Sequence, residues 1–147
     1  MDHERLIDFE GIHNFRDYGG YAIPGGGRVR RGLLFRSGQH AGASDADLAR
    51  VEAFAIGTVV DLRGNSEREE FPCRRSPGFA GQVLFHDGET SNRAPHEEAA
   101  NSPPTAQDAH RRMVALYRRM PYNPPMLAIF RRYFAALAQG QGPGQGQ

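Results

Sequence analysis

The sequence predicts an α/β fold with a short parallel sheet at its core and helices on the flanks. Two apolar runs, at 33–36 and 58–62, are short and rich in aliphatic residues, as buried strands are. A segment of helical length with one apolar face, at 45–56, lies between them. This order of strand, helix and strand is typical of a parallel sheet, because the crossover helix returns the chain to the same end. The 147 residues suffice for one domain.

The crossover helix has its own start and stop signals. Ser44 is a good N-cap, and Asp45 and Asp47 follow in the first turn, where the helix dipole favours acids. Gly57 is expected to end the helix in the C′ position, so the helix is predicted over 45–56. The apolar face consists of Leu48, Val51, Phe54 and Ala55.

The run at 58–62 ends abruptly in charge. Charged side chains do not lie unpaired in an apolar interior, so Asp61 and Arg63 mark the point where the strand leaves the core. In open α/β sheets ligands bind at the carboxyl ends of strands. Two interpretations remain open at this point: a ligand site at this edge, or a strand that exits into a charged loop.

The middle of the chain carries a third predicted strand, at 83–85, which leaves through a His-Asp-Gly sequence. A polar connection at 64–81 precedes it and contains a predicted helical turn at 66–70. Residues 88–104 are polar and have no periodic pattern. A connection of that length is usually mobile or functional, for example as a lid.

Two helices are predicted in the last third of the chain, over 105–120 and 124–138. Pro121 and Pro124 separate them, and Pro125 suits the first turn of the second helix. The predicted apolar faces are Ala106, Ala109, Met113, Leu116, Tyr117 and Met120 in the first helix, and Leu127, Phe130, Phe134 and Leu137 in the second, with Met126, Ile129 and Tyr133 beside them. Six Arg and no acid follow from position 111; this is most often a solvated face, and an anionic partner is the alternative.

Composition argues against several function classes. The 18 basic residues, all Arg, nearly balance 17 acids, so the net charge of +1 gives no reason to expect nucleic acid as a partner. The single Cys suits a reducing compartment, and the acidic start without an apolar run predicts a cytoplasmic protein without a membrane span. The six His lack metal-ligand spacing, so no metal and no cofactor are expected. Residues 140–147 are predicted to be a flexible Gly/Gln/Pro tail.

Three motifs together carry a family resemblance. They are Asn-Phe-Arg-Asp-Tyr-Gly-Gly at 14–20, Gly-Leu-Leu-Phe-Arg-Ser at 32–37, and Val-Asp-Leu-Arg at 60–63 with Glu67 just after. Their order and spacing resemble the N-terminal part of the bacterial atypical tyrosine phosphatases, a cysteine-dependent family that acts on phosphotyrosine, phosphoserine/threonine or phosphoinositides. The resemblance covers about 10–139. It implies an incomplete phosphatase-type α/β domain over 1–139, followed by the tail at 140–147.

The resemblance also implies a catalytic loop that this chain does not contain. In the family a buried strand runs into a His-Cys-x-x-Gly-Lys-Asp-Arg loop, whose thiolate attacks phosphorus and whose Arg, six residues later, binds the phosphate oxygens. The only Cys here is Cys73, and the position six residues later is Phe79. We therefore expect the chain to be inactive alone, through truncation, a frameshift or a fragmentary gene model. The alternative is a non-catalytic pseudophosphatase fragment that binds an anionic ligand or a partner chain.

The resemblance transfers a few site residues to this sequence. Asp61 is the candidate general acid, and Arg63, Asn14 and Arg36 are candidates for the phosphate side. Arg16 and Asp17 match motif positions as well. For these two residues and for Arg36, the preferred role is to tie the N-terminal segment to the sheet by hydrogen bonds and ion pairs. The implied substrate is a phosphorylated protein or phospholipid. The absent signature strand implies an open sheet edge, through which self-association is expected.

Overall fold

The computed structural model describes residues 3–90 and 105–139. They fall into two compact units, the first formed by 3–58 and 69–82, the second by 59–68, 83–90 and 105–139. Most of the predicted loop at 88–104 and the whole predicted tail at 140–147 lie outside the described residues. The assignment of 1–139 to one domain therefore stays a prediction.

The strands form two separate two-stranded sheets. In the first, β1 (Arg16–Asp17) pairs antiparallel with β2 (Phe35–Arg36). In the second, β3 (Thr58–Val60) lies beside β4 (Gln82–Leu84). Two hydrogen bonds of this second sheet, from Gln82 N to Gly57 O (2.9 Å) and from Asp61 N to Leu84 O (2.8 Å), advance along both strands together, which is the parallel pattern.

The mixed α/β class with short sheets is confirmed, but one pairing was predicted wrongly. The runs at 33–36 and 58–62 were expected to be parallel strands of one sheet, whereas β2 and β3 belong to different sheets. The neighbour of β2 is the N-terminal segment, which also adds a hydrogen bond from Tyr18 N to Leu34 O at 2.8 Å. The parallel neighbour of β3 is the later strand β4. β2 and β3 are shorter than the predicted strands at 33–36 and 58–62, whereas β4 has the predicted length but begins one residue earlier than the predicted 83–85.

Helix α1 (Asp45–Ala53) begins as predicted and ends early. The Ser44 side chain accepts a hydrogen bond from Asp47 N, and the Asp47 side chain caps Ser44 in return. The predicted end at 56 is wrong, because Phe54 N and Ala55 N already bond back to the carbonyls of Val51 and Glu52. Ala55, with φ of 53°, takes the left-handed conformation that was expected at Gly57.

The core of the first unit is aromatic. Phe15 is 3% exposed and lies 4.8 Å from the Phe9 ring and 5.7 Å from the Phe54 ring, measured between centroids. Ile12, Ala43 and Leu48 complete the buried cluster, with Phe35 packed against it. This cluster joins α1 to β2 and to Phe15, the residue that directly precedes β1.

The other α-helices among the described residues are α2 (Asn65–Glu70), α3 (Ala106–Arg119) and α4 (Pro124–Ala138). A 3₁₀ turn at Met120–Tyr122 links α3 to α4. Thr105 caps α3 with a capping box, and the Asn123 side chain caps α4, whose first turn contains proline as predicted. Within residues 3–90 and 105–139, no helix has both the length and the apolar character needed to cross a bilayer.

The burial of α3 and α4 differs from the predicted apolar faces. No residue of α3 is buried, and Tyr117 on its apolar face is 55% exposed. In α4 the buried residues are Met126 and Ile129, whereas Phe134 on the predicted stripe is 65% exposed. Sequence periodicity identified apolar rows correctly but could not decide which row a tertiary partner covers.

Candidate functional site

Asp61 and Arg63 form a buried, bidentate ion pair at the carboxyl end of β3. Arg63 Nε donates to Asp61 Oδ1 and Arg63 Nη2 donates to Oδ2, both at 2.9 Å. The Arg63 backbone N–H also donates to Oδ1 at 3.1 Å. The side chains are 14% and 8% exposed for Arg63 and Asp61, so little solvent screens the pair.

The pKa of the Asp61 carboxyl is the net result of opposing effects. Burial acts to raise this pKa, because the charged form loses hydration. The hydrogen bonds from Arg63 and the positive charges of Arg63 and Arg68 act to lower it, and the outcome is a pKa below the ordinary 3.8. In this arrangement Asp61 is an ionised hydrogen-bond acceptor at neutral pH and holds no proton to donate.

Arg68, on α2, connects this pair to the end of β4. Its guanidinium donates to the carbonyl of Arg63, to the side chain of Asn65, and to the carbonyl of His86 at 2.6 Å. Its guanidinium carbon also lies 4.8 Å from the centre of the Phe85 ring. Nothing in the sequence singled out Arg68, although it lies only five residues after Arg63.

Glu89 holds the loop after β3 against the segment after β4. One of its carboxylate oxygens accepts from the Ser66 hydroxyl at 2.7 Å and from Ser66 N at 2.9 Å. These hydrogen bonds, and to a smaller extent the positive charge of Arg68, lower the pKa of Glu89 below its ordinary value. Burial has a small effect in the opposite direction. A Cβ at Gly64 would come within 2.7 Å of Glu89 Oε2 and 3.0 Å of Thr90 N, so any larger residue here would push against this carboxylate and the chain beside it.

A cavity of about 400 Å³ lies beside this cluster, between the end of β4 and α4. Phe85, His86, Asp87, Ala128, Ile129 and Arg132 line it. Arg132 Nη1 donates to the Phe85 carbonyl at 2.9 Å, and Asp87 Oδ1 accepts from Asn65 Nδ2 at 3.0 Å. Arg132 and Asp87 on the wall of the cavity are therefore each held by one hydrogen bond.

Asn14 and Arg36 belong to the first unit, whereas Asp61 and Arg63 belong to the second. Asn14 has φ of 56°, and its side-chain oxygen accepts from Arg16 Nη2 at 3.0 Å. Arg36 is exposed and lies directly opposite Arg16 in the β1–β2 ladder.

Asp17 occupies the other face of the same ribbon. Its carboxylate accepts from Gly19 N at 2.6 Å and from Gly32 N at 2.8 Å. These bonds tie the N-terminal segment to the approach of β2, which is the structural role that was expected of Asp17.

Cys73 is half-buried, and its Sγ accepts a hydrogen bond from His40 N at 3.3 Å. The neighbouring Arg74 directs its guanidinium to the Asp45 carboxylate at 2.7 Å and to the Ala43 carbonyl. Arg75 lies over the Phe79 ring. Both neighbouring guanidinium groups therefore have structural contacts of their own.

Comparison with known proteins gives two matches. A family model described as the tyrosine phosphatase family matches residues 7–145. A protein of Cupriavidus necator that is provisionally named a tyrosine-protein phosphatase is 50% identical over 62 residues. That match covers 42% of this chain and 23% of the relative, so the aligned part spans about a quarter of the length of the curated protein.

Proposed function

Because this chain belongs to the tyrosine phosphatase family, we propose that it derives from an enzyme that hydrolyses phosphate monoesters through a cysteinyl-phosphate, and that the chain alone is inactive. The family match carries the first half of this proposal. In such a reaction a thiolate attacks phosphorus, the bond from phosphorus to the leaving oxygen breaks, and that oxygen takes a proton. Water then cleaves the S–P bond. The second half rests on Cys73, which has Phe79 and not Arg six residues later.

We assign the phosphate side of the second unit to Arg63, with Arg68 beside it. A guanidinium fork binds two phosphate oxygens as readily as two carboxylate oxygens. A phosphate dianion that takes the Arg63 fork from Asp61 would leave this buried carboxylate without its main hydrogen-bond donor. Burial would then raise the pKa of Asp61 and favour the protonated form, which is the form a general acid needs. Asn14 and Arg36 remain proposed phosphate-side residues on the first unit.

The test of inactivity is a hydrolysis assay with p-nitrophenyl phosphate and with a phosphotyrosine peptide. We expect no release of phosphate above the rate without protein, because Asp61 and Arg63 could at most donate a proton and hold charge, and neither is a nucleophile. The control is Cys73→Ser. Turnover by the wild-type chain that disappears in this variant would refute the proposal and identify Cys73 as the nucleophile.

The second candidate function is a non-catalytic module that binds a phosphorylated ligand or a partner chain. Two observations together favour it: Asp61, Arg63 and Arg68 form an ordered cluster, and the sequence lacks Cys-x5-Arg. Calorimetric titration with phosphotyrosine separates the two candidates. Binding that occurs without turnover, and that is lost in Arg63→Gln, supports the non-catalytic module. The absence of binding rules this candidate function out.

We also propose a cytoplasmic location. The single cysteine and a phosphorylated protein or phospholipid ligand are both compatible with it.

A further inference from the structure

The apolar face of α3 is open to solvent along the helix. Ala106, Ala109, Met113 and Tyr117 recur at intervals of three and four residues, so they form one row on the helix surface. All four are exposed, Met113 to 39% and Tyr117 to 55%. An amphipathic helix usually gains most of its stability from packing such a row against another element. Here the row is available to a surface outside the described part of the chain.

The turn after α3 and helix α4 expose further aromatic rings. Tyr122, in the 3₁₀ turn, is 79% exposed, and Phe134, on α4, is 65% exposed. A tyrosine combines an apolar ring with a polar hydroxyl, so it is favoured where hydrocarbon meets water. Tyr117 and Tyr122 are both of this type. The exposed tyrosines therefore suit a boundary between apolar and polar layers better than a fully apolar pocket.

The two helices also carry a concentration of positive charge. No acidic residue lies between position 109 and the end of α4, a stretch that contains six arginines. Among the described residues only one of these arginines has an acidic partner, Arg111, whose Nη2 lies 2.5 Å from Asp108 Oδ1. The six are Arg111, Arg112, Arg118, Arg119, Arg131 and Arg132. A partner for this surface must therefore be anionic as well as apolar.

The arginines of α3 are distributed over two sides of the helix. Arg111 and Arg118 lie seven residues apart and share one face, and Arg112 and Arg119 share the neighbouring face. A partner helix contacts one narrow stripe, so it would leave one of these pairs unmatched. A helix that lies at the depth of lipid headgroups meets anions on both flanks, while its apolar row faces the acyl chains. A second copy of this chain would bring the same positive charge and be repelled.

We propose that α3 and the turn after it bind the surface of an anionic lipid bilayer. Met113, Tyr117 and Tyr122 enter the boundary between headgroups and acyl chains, and the arginines contact the headgroup phosphates. The row on α3 has few large apolar side chains, so the binding depends on charge as well as on apolar burial. This inference does not rest on the proposed function, because it requires an anionic surface and no phosphate monoester.

The test is co-sedimentation of the full chain with large vesicles. One set of vesicles consists of phosphatidylcholine, which has no net charge. The other set also contains phosphatidylglycerol, which is anionic but is a phosphodiester and offers no phosphate monoester. We expect binding to the anionic vesicles only. Raising sodium chloride from about 0.1 M to about 1 M shortens the screening length from about 10 Å to about 3 Å and should release most of the bound protein.

Two variants test the two halves of the surface. Arg118→Gln with Arg119→Gln should weaken binding about 25-fold, which is about 5-fold for each charge removed. Tyr117→Ser keeps the charges and should weaken binding about 3- to 10-fold, because the ring is then missing from the apolar boundary. The matched control, Arg28→Gln with Arg30→Gln, makes the same change of net charge on the first unit and should bind as wild type does. Far-UV circular dichroism checks that each variant keeps its helices.

The other outcomes each contradict the inference. Equal weakening by the control pair would show that net charge alone acts. Loss of binding in Arg63→Gln would place the lipid at the proposed phosphate side. A polyglutamate peptide that binds as tightly as the anionic vesicles, and equally well to Tyr117→Ser, would identify an electrostatic site for an acidic protein.

Two further results concern the vesicles directly. If the chain binds neither set and forms dimers that Tyr117→Ser dissociates, the row on α3 is an interface between copies and the proposal is wrong. Absence of vesicle binding without dimers also overturns it. The phosphatase assay is independent of both results, so a failure of the proposed function and a failure of this inference can be distinguished.

Discussion

Asp61 and Arg63 form a buried ion pair in which each side chain neutralises the other. Two residues apart in an extended chain, their side chains point to the same side. They are therefore neighbours just after β3 ends at Val60, and the Arg63 backbone N–H donates to the same carboxylate. The sequence predicted where these charges lie but not that they bind each other, since the spacing allows this contact without requiring it.

Removing one member of this pair should cost more stability than removing both. In Arg63→Met the Asp61 carboxylate stays buried and loses its fork, and we expect a loss of about 3 kcal/mol, the lower end of the range for a one-sided break of a buried pair. Urea unfolding at neutral pH measures it. The double variant Asp61→Asn with Arg63→Met should recover part of the loss, because no uncompensated charge remains. A double variant less stable than Arg63→Met would contradict this explanation.

Arg68 shows why part of the site was not predictable. Its partners are main-chain carbonyls of Arg63 and His86, and the second lies 18 positions away in sequence. A main-chain carbonyl as a partner leaves no pattern of residue types in the sequence, because every residue has such a carbonyl. Asp61 and Arg63, by contrast, stood out as charges at the end of an apolar run.

At the scale of elements, helices were predicted better than strand pairings. The caps Ser44, Thr105 and Asn123 are local, so the sequence alone places the starts of α1, α3 and α4. Strand neighbours depend on contacts between distant segments, and the partner of β2 proved to be the N-terminal segment. The buried row of α4 is likewise set by tertiary packing.

The end of α1 can be improved by one substitution. Ala55 has φ of 53°, a conformation in which a Cβ is strained and glycine is not. We expect Ala55→Gly to stabilise the protein by up to about 1 kcal/mol, after the greater flexibility of unfolded glycine is subtracted. Thermal unfolding measures the change. Ala53→Gly, at the last residue of α1, should instead destabilise the protein by about 0.5–1 kcal/mol. A change of stability with the same sign in both variants would argue against strain at Ala55.

Asp47 links α1 to the N-terminal segment and makes this link sensitive to acid. Burial would raise the pKa of its carboxyl, but hydrogen bonds from the amides of Glu10, Gly11 and Ser44 lower it below the ordinary 3.8. The unfolded chain therefore binds the proton more readily than the folded chain. The stability that Asp47 contributes is present above pH 3.8 and is lost as the pH falls through and below that value.

The measurement is the melting temperature of wild type and Asp47→Asn between about pH 7 and about pH 3. We expect Asp47→Asn to be less stable at neutral pH and to lose less on acidification. Asp8→Asn serves as an exposed control. Equal acid slopes for wild type and Asp47→Asn would show that this carboxylate does not govern the link.

At the scale of the whole molecule, both sheets are narrow. Sheets of two strands are marginal in water unless other elements cover them. Within the described residues β3 has one strand neighbour, so the main-chain groups of Thr58 and Val60 that point away from β4 have no strand to pair with. An open edge of this kind is a template for pairing with a second chain.

We predict a marginally stable protein that self-associates through this edge. Sedimentation at several concentrations should detect the association, and Thr58→Pro should reduce it by removing one main-chain donor from the open edge. Thr58→Val keeps that donor while losing the hydroxyl that accepts from Gln82 Nε2, so it is the matched control. A monodisperse monomer that melts sharply above about 65 °C, the upper end for mesophile domains, would contradict the prediction.

The facing Arg16 and Arg36 side chains give the protein an unusual response to ionic strength. Like charges directly opposite in a ladder repel each other, and among the described residues neither is paired with an acid. Raising sodium chloride from about 0.01 M to 0.1 M shortens the screening length from about 30 Å to about 10 Å and should relieve the repulsion. We expect this addition to raise the melting temperature of wild type more than that of Arg36→Gln. An equal response of wild type and Arg36→Gln to salt would show that the two guanidinium groups do not strain the β1–β2 ribbon. If they do, a dilute buffer is the condition in which β1 and β2 should separate first.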